Sequence, residues 1–296
     1  MDERGKKSII AVMIVIGIAA GLAWAGSQEG VTAFGMPLFS LCVAITFVIQ
    51  WAAFIPAYIK KTEKFFDLTG SLTFISVTLF AVFSSPWPDA RAILLAGMVT
   101  IWALRLGSFL YRRIHAAGED RRFREIKTSF GRFLLTWTLQ GLWVSFSLAA
   151  ALAAITSTTR ATLGAFAAAG FLVWALGFGI EVTADWQKSK FKANPNNKDK
   201  FINSGLWSWS RHPNYFGEII LWIGIAIVTL PVLTGWQWLT LISPVFIYLL
   251  LTRISGVPML EARADEKWGG QSDYQAYKSH TSILFPLPPS KTRQEG

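Results

Sequence analysis

The chain reads as an all-α membrane protein, a polytopic bundle of seven to eight transmembrane helices, and three observations lead there. Of its 296 residues 52% are hydrophobic and 14% aromatic while only 16% are charged, far from the balance of a soluble domain. Several windows approach the roughly 20 apolar residues that cross a bilayer as helix, and none shows the alternation of an outer-membrane barrel. The basic residues, finally, cluster in every second connecting segment, as membrane topology demands.

Hydropathy places the spans at Ser8–Ala25, Gly35–Ile59, Leu68–Phe83, Ala92–Leu110, Phe133–Ile155, Ala161–Val182, Asn214–Leu230 and Trp236–Leu251. The first could pass for a signal peptide, but Ala25-Gly26-Ser27 is a weak cleavage signal and more spans follow, so it is read as a retained helix. Lys plus Arg number 3, 0, 3, 1, 7, 1, 6, 0 and 6 before, between and after these spans. The positive-inside rule then sets both termini and the long loops in the cytoplasm. If the last two spans form one re-entrant element, that sidedness survives and only the crossing count falls. Ser84 to Asp89 and Thr156 to Thr159 are simple turns on the far side.

No repeat and no second domain is visible, so 1–296 is taken as a single integral membrane domain whose tail, 287–296, frays after a proline-rich stop. The net charge of +10 could suggest a nucleic-acid partner, but topology accounts for it more simply, and none is expected. Cys42 stands alone, so no disulfide forms within the chain, and with His only at 115, 212 and 280 no metal site is expected. The absence of a carboxy-terminal retrieval signal favours a bacterial inner membrane over the endoplasmic reticulum.

Three long polar segments share the cytoplasmic side, Tyr111–Arg132, Asp185–His212 and Thr252–Gly296, and they are the natural builders of a soluble-cofactor site. The densest chemistry is Ser208 to Glu218, which runs without a break into an apolar helix. Pro213 suits a first helical turn. Asn214 and Glu218 then share one face and Arg211 and Tyr215 another, because residues four apart lie one above the other. Polar groups carried into a membrane helix normally face a protein interior or a ligand, so this stretch forms one wall of a polar pocket.

Arg105 lies inside the fourth span, where a guanidinium must snorkel, pair or bind an anion. Asp67 opens the third span as its natural partner, or as an ordinary N-cap. The run from Arg112 and Arg113 through Asp120 and Arg121 is either a solvated membrane-surface loop or a set of arginines forked onto phosphate. Glu181 and Asp185, four apart, could accept ribose hydroxyls or simply mark a polar helix end. Tyr274, Tyr277 and Lys278 could sandwich an adenine or anchor at the headgroups. No Gly-rich phosphate loop and no Walker motif is present, which leaves out a Rossmann domain and a P-loop ATPase.

The run Ser210-Arg211-His212-Pro213-Asn214-Tyr215-Phe216-Gly217-Glu218, with Gly118-Glu119-Asp120-Arg121 and Phe66-Asp67-Leu68-Thr69-Gly70, resembles the steroid 5α-reductase-like family of membrane enone reductases. The likeness covers 65–286 and leaves 1–64 as two additional N-terminal helices. An Arg-His-Pro-x-Tyr stretch also occurs in sterol C14-reductases and isoprenylcysteine carboxyl methyltransferases, so the order of all the motifs selects the reductase branch.

What the resemblance implies is NADPH-dependent reduction of the conjugated carbon–carbon double bond of a lipid-like enone, a 4-en-3-one steroid being the type substrate, entering from the bilayer lipid. By motif position Asn214 and Glu218 become nicotinamide-side contacts, with Asp185, Arg211, His212 and Tyr215 nearby. Arg105 and the Arg112 to Arg121 run hold phosphates, and Glu181, Tyr274, Tyr277 and Lys278 complete the cofactor set. Asp67 corresponds to the acid that bonds the substrate carbonyl. Trp102 stands where the steroid enzymes carry a tyrosine, and an indole donates a hydrogen bond without being a proton source. Glu181 likewise stands where an amide is expected.

Two other readings use the same residues. An S-adenosylmethionine-dependent lipid or prenyl-protein methyltransferase would share Arg211-His212-Pro213 but leave the arginine cluster without a pyrophosphate. A transporter or scaffold would use the intramembrane charges and give the cytoplasmic tyrosines no role.

Overall fold

The computed structural model describes residues 3–288, with the side chains of residues 3, 4, 116, 117 and 121 outside that description; the tail predicted to fray lies, from 289 on, outside it as well. Helix dominates, and eight helical stretches among the described residues are long and apolar enough to cross a membrane. The chain is an integral, multi-pass membrane protein. It divides into two compact units, one comprising 1–168 with 225–243 and the other 169–224 with 244–296.

In the first unit α1 (Glu3–Ser27) ends near Gly30, and a two-residue antiparallel pairing turns the chain through Phe34 and Gly35, both at positive φ, into α2 (Leu38–Ile59). A short turn leads to α3 (Phe66–Ser84), and α4 (Ala90–Ala117) is capped by Asp89, whose carboxylate accepts from the Ala92 amide at 2.8 Å. The alternative reading of Asp67 as an N-cap does not hold: Phe65 occupies the cap position and Asp67 lies in the first turn.

The centre of this unit is α5 (Phe130–Thr156), which packs on α1, α2, α3 and α4. Its run Ala149 to Ala154 is wholly buried, since alanines keep a crowded helix slim enough to be surrounded. Near its other end Phe133 and Trp137 join Phe54 and Phe123 in an aromatic core. Arg91, fully buried, donates to the Val228 and Thr162 carbonyls, placing a cation on backbone oxygens at a helix end. At the same end the Trp24 and Trp236 rings lie 5.3 Å apart, and Trp87 and Trp238 are exposed.

The second unit holds most of α6 (Ala165–Ala193) and α7 (Pro213–Thr229), then α8 (Ile242–Leu249), a π turn at Leu250–Ile254, α9 (Val257–Trp268) and α10 (Ser272–His280). Glycine is what lets α6 and α7 meet. A Cβ on Gly217 would fall 2.6 Å from both the Gly177 carbonyl and the Glu181 amide, and one on Gly224 would fall 2.5 Å from the Trp174 amide. Backbones this close leave no room for a methyl group.

Four boundaries depart from the hydropathy reading. α4 continues to Ala117, so Arg112 and Arg113 are helical rather than part of a loop, and α6 continues to Ala193, so Asp185 lies inside a helix. α7 begins at Pro213 as expected, but the last span opens as a 3-10 segment (Gly235–Leu241) and closes in the π turn. The cause is common to α4 and α6: hydropathy stops at the first charges, whereas backbone hydrogen bonding does not depend on side-chain polarity.

Gly217→Ala should therefore separate α6 from α7. We expect a fall of several degrees in the melting temperature of the detergent-solubilised protein, whereas Gly179→Ala, whose added methyl meets open space, should change little. Equal shifts would show that the close approach is not what α6 and α7 depend on.

Candidate functional site

In the second unit the start of α7 is pinned before the helix begins. The Arg211 amide donates to the Ser282 carbonyl at 2.8 Å, the Ser210 hydroxyl to the Leu284 carbonyl at 2.8 Å, and the Leu287 amide to the Trp209 carbonyl at 3.0 Å. An extended segment after α10 thus holds the approach to the Arg-His-Pro motif. The Tyr277 hydroxyl donates to the Trp207 carbonyl (2.7 Å), and the Trp207 indole to the Ala184 carbonyl (3.0 Å), tying α10 and α6 to the same turn.

One carboxylate organises the charged groups. Glu261 on α9 takes His212 Nε2 on one oxygen and Arg211 Nη1 on the other, each at 2.8 Å. His212 is buried, with its ring stacked near parallel to Tyr215. Burial holds its pKa below the ordinary value, and the bond to Glu261 offsets this only in part. The imidazole is therefore neutral and donates from Nε2. In the first turn of α7, the Asn214 amide donates to Asp185 at 3.2 Å.

Arg211, His212 and Glu261 border a cavity of about 280 Å³ in the second unit. Its walls are aromatic: Phe201 stacks on Tyr277 at 5.3 Å and meets Tyr274 edge-on at 5.2 Å, with Trp207 and Trp268 also lining it. Its charge is strongly one-sided, with Lys188, Lys192, Lys200, Arg211, Arg263 and Lys267 against the already engaged Glu261. Burial and the nearby Glu261 and Asp265 carboxylates push the Tyr274 phenol up to about 12, so it remains a donor at any physiological pH.

Of the residues singled out from sequence, Arg211, His212, Tyr274 and Tyr277 line this cavity. Tyr215 is joined to that set through the His212 ring, while Asn214 and Asp185 bond to each other outside the lining. Glu181 is buried on α6, Glu218 is half-buried on α7, and Lys278 is held by Asp265 at 2.6 Å, outside the lining. Sequence reading missed Glu261 as the shared partner and the aromatic contributions of Phe201, Trp207 and Trp268; their only signal was a general richness in aromatics.

In the first unit Asp67, for which the sequence suggested Arg105, stands 3.8 Å from Arg113. Arg105 lies over the Phe109 ring, Arg112 is exposed, and Arg121 lies outside the described side chains. Trp102 is fully buried, edge-on to Phe74 at 5.0 Å, which places it in the packed interior of α3 and α4. Asp120 accepts from Arg122; partial burial works against its charge, and the Arg122 bonds outweigh this and hold its carboxyl below the usual range.

A residue not anticipated holds this segment in place. Glu63, its side chain 2% exposed, accepts from Lys127 Nζ at 2.7 Å and from the Asp120 amide at 3.1 Å. It therefore fastens both ends of the arginine-bearing turn beside the first turn of α3.

A family model described as a protein of unknown function (DUF1295) matches residues 53–281. Among curated proteins the chain is 32% identical over 119 residues to a steroid 5-alpha-reductase of Gossypium hirsutum, covering 40% of this chain and 41% of that one. It is 38% identical over 64 residues to a probable O-methyltransferase of Ustilaginoidea virens, 22% of each. It is also 37% identical over 67 residues to a probable 7-dehydrocholesterol reductase of Acanthamoeba polyphaga mimivirus, 17% of this chain and 15% of that one. The chain thus spans less than half the length of each of these relatives. No solved structure matches.

Two outcomes follow from this geometry. Lys127→Met leaves the Glu63 charge buried without its partner, a loss that costs about 3 kcal/mol or more. It should lower the melting temperature clearly more than Glu63→Gln does; equal shifts would mean that water reaches Glu63. For His212, whose folded pKa lies below its unfolded value of about 6.5, the associated stability is complete above that value and is lost as pH falls from there through the folded pKa. Melting curves between about pH 7.5 and 5 should decline more steeply in the wild type than in His212→Gln, and parallel declines would acquit His212.

Proposed function

We propose, from the premise that this chain belongs to the DUF1295 family and with it to the steroid 5α-reductase-like superfamily, that it is a membrane-embedded reductase. The substrate class is a lipid-like enone whose conjugated carbon–carbon double bond is reduced, and the cofactor is NADPH. The names carried by two relatives, a steroid 5-alpha-reductase and a probable 7-dehydrocholesterol reductase, support the reaction class.

The observation that carries the choice of cofactor is the cavity beside Arg211 and His212. Six cations and several aromatic faces around about 280 Å³ suit one phosphorylated nucleotide half of a dinucleotide, near the lower end of the roughly 300–1,000 Å³ usual for ligand sites. Tyr277, Phe201 and Trp207 offer flat surfaces for a base, and the lysines offer charge for phosphate. Arg211 is already oriented by Glu261, so its remaining donors are held in place before anything binds.

Hydride for the β-carbon is what NADPH supplies when bound. The chain's own share is to position and to polarise. Asn214, fixed by Asp185, and Glu218 are assigned to the nicotinamide side. Arg105, Arg112, Arg113 and Arg121 are assigned to phosphate. Asp67, with Trp102, is assigned to the substrate carbonyl, where a donor stabilises charge arriving on oxygen. These roles rest on the resemblance.

A methyltransferase is the second reading, supported by the probable O-methyltransferase among the relatives. S-adenosylmethionine carries a sulfonium and only one carboxylate, so it would face the six cations with little anionic charge to meet them.

Thermal stabilisation of the purified protein separates the two, because a ligand that binds only the folded state stabilises it by about 2.7 kcal/mol at a hundred times its Kd. We expect NADPH to raise the melting temperature, NADH less, and S-adenosylmethionine not at all. Lys188→Gln combined with Lys192→Gln should weaken NADPH at least roughly tenfold. Stabilisation by S-adenosylmethionine alone would overturn the reductase reading.

A further inference from the structure

A second concavity lies wholly in the first unit, along the outer face of α3 and α4. It encloses about 300 Å³ between Phe65, Leu68, Leu72 and Ile75 on one side and Leu104 and Tyr111 on the other. Its floor exists because the two helices touch through their smallest side chains: a Cβ on Gly107 would fall 2.6 Å from that of Ser71. Larger residues rise on either side of that contact, and Phe65, Leu72 and Leu104 remain more than half exposed. Within the first unit the groove is therefore open along its length.

Its length and polarity are both defined. From Phe65 to Ile75 is ten residues, about 15 Å of helix at ~1.5 Å per residue, or half the ~30 Å hydrocarbon thickness. Apart from Ser71 at the floor, the polar groups of the lining are Ser108 and Tyr111, and Tyr111 lies at one end. That end adjoins the turn between α2 and α3, which presents Lys60, Lys61 and Lys64 to the exterior, and Arg112 is exposed next to Tyr111. The nearby acids do not cancel this charge, since Glu63 is buried against Lys127 and Asp67 faces Arg113.

We propose that this groove binds one acyl chain of an anionic phospholipid, whose headgroup rests on Lys60, Lys61 and Lys64. An apolar trough one leaflet deep, capped at a single end by cations, complements such a molecule in both length and charge. A fused-ring enone fits it less well, because sites for compact ligands enclose most of the ligand surface and this one leaves a full side open. The inference does not depend on the reductase reading.

Native mass spectrometry after mild delipidation, with phosphatidylglycerol or phosphatidylcholine of identical chains added back, tests it. The wild type should retain one phosphatidylglycerol per chain, preferred at least roughly tenfold over phosphatidylcholine. Leu104→Trp and, independently, Leu72→Trp fill the trough and should release that lipid while keeping the wild-type melting temperature. Replacing Lys60, Lys61 and Lys64 together by Gln should abolish the preference. Equal retention of the two lipids by the wild type would overturn the proposal, as would unchanged retention in both Trp variants or one-for-one displacement by a 4-en-3-one steroid.

Discussion

The arrangement of the second unit turns on one carboxylate shared between two donors. Glu261 holds Arg211 and His212 at once, and those two residues immediately precede the proline that opens α7. Fixing them fixes the direction in which α7 departs, and with it the height of Asn214 and Glu218 on that helix. Were Glu261 absent, a buried guanidinium would lack its counter-charge, and the energetic penalty would fall on the residues that set the entry to the helix. The aromatic walls follow from the same anchor, since α9 and α10 bring Trp268, Tyr274 and Tyr277 to the cavity.

A parallel constraint operates in the first unit with different chemistry. There a buried Glu63 accepts from Lys127 and from a backbone amide, so the turn bearing Asp120 and Arg122 is held at its two ends rather than along its length. Both cases show polar groups at the ends of membrane helices satisfied by residues far away in sequence. Water is scarce at that depth, and an unsatisfied charge is costly.

The comparison with the sequence is instructive at the level of individual groups. All eight helical spans could be located from hydropathy because transfer into hydrocarbon is a local property of some twenty residues. Their ends could not, because α4 and α6 run on past the last apolar residue as far as Ala117 and Ala193. Of the site, Arg211, His212, Tyr274 and Tyr277 were legible, since a cluster of polar groups entering a membrane helix is conspicuous. The pairing of Asn214 with Asp185 was anticipated only as two polar faces. Glu63 was passed over and Glu261 was not paired with His212, because each looks like any acid in a charged segment, and only the fold reveals that their partners lie 64 and 49 residues away.

The tryptophans at the far end of the first unit have a mechanical consequence. Trp24, Trp87, Trp236 and Trp238 belong to segments that meet at one boundary, and indole rings favour the headgroup region over either neighbouring phase. Together with the lysines at the opposite ends of the helices, they bracket the protein and set its vertical position. A thicker or thinner bilayer would then be met by tilting or by local deformation of the lipid rather than by sliding. Lipid thickness thus becomes a physical variable to which the helices of this unit are coupled, alongside whatever binds between them.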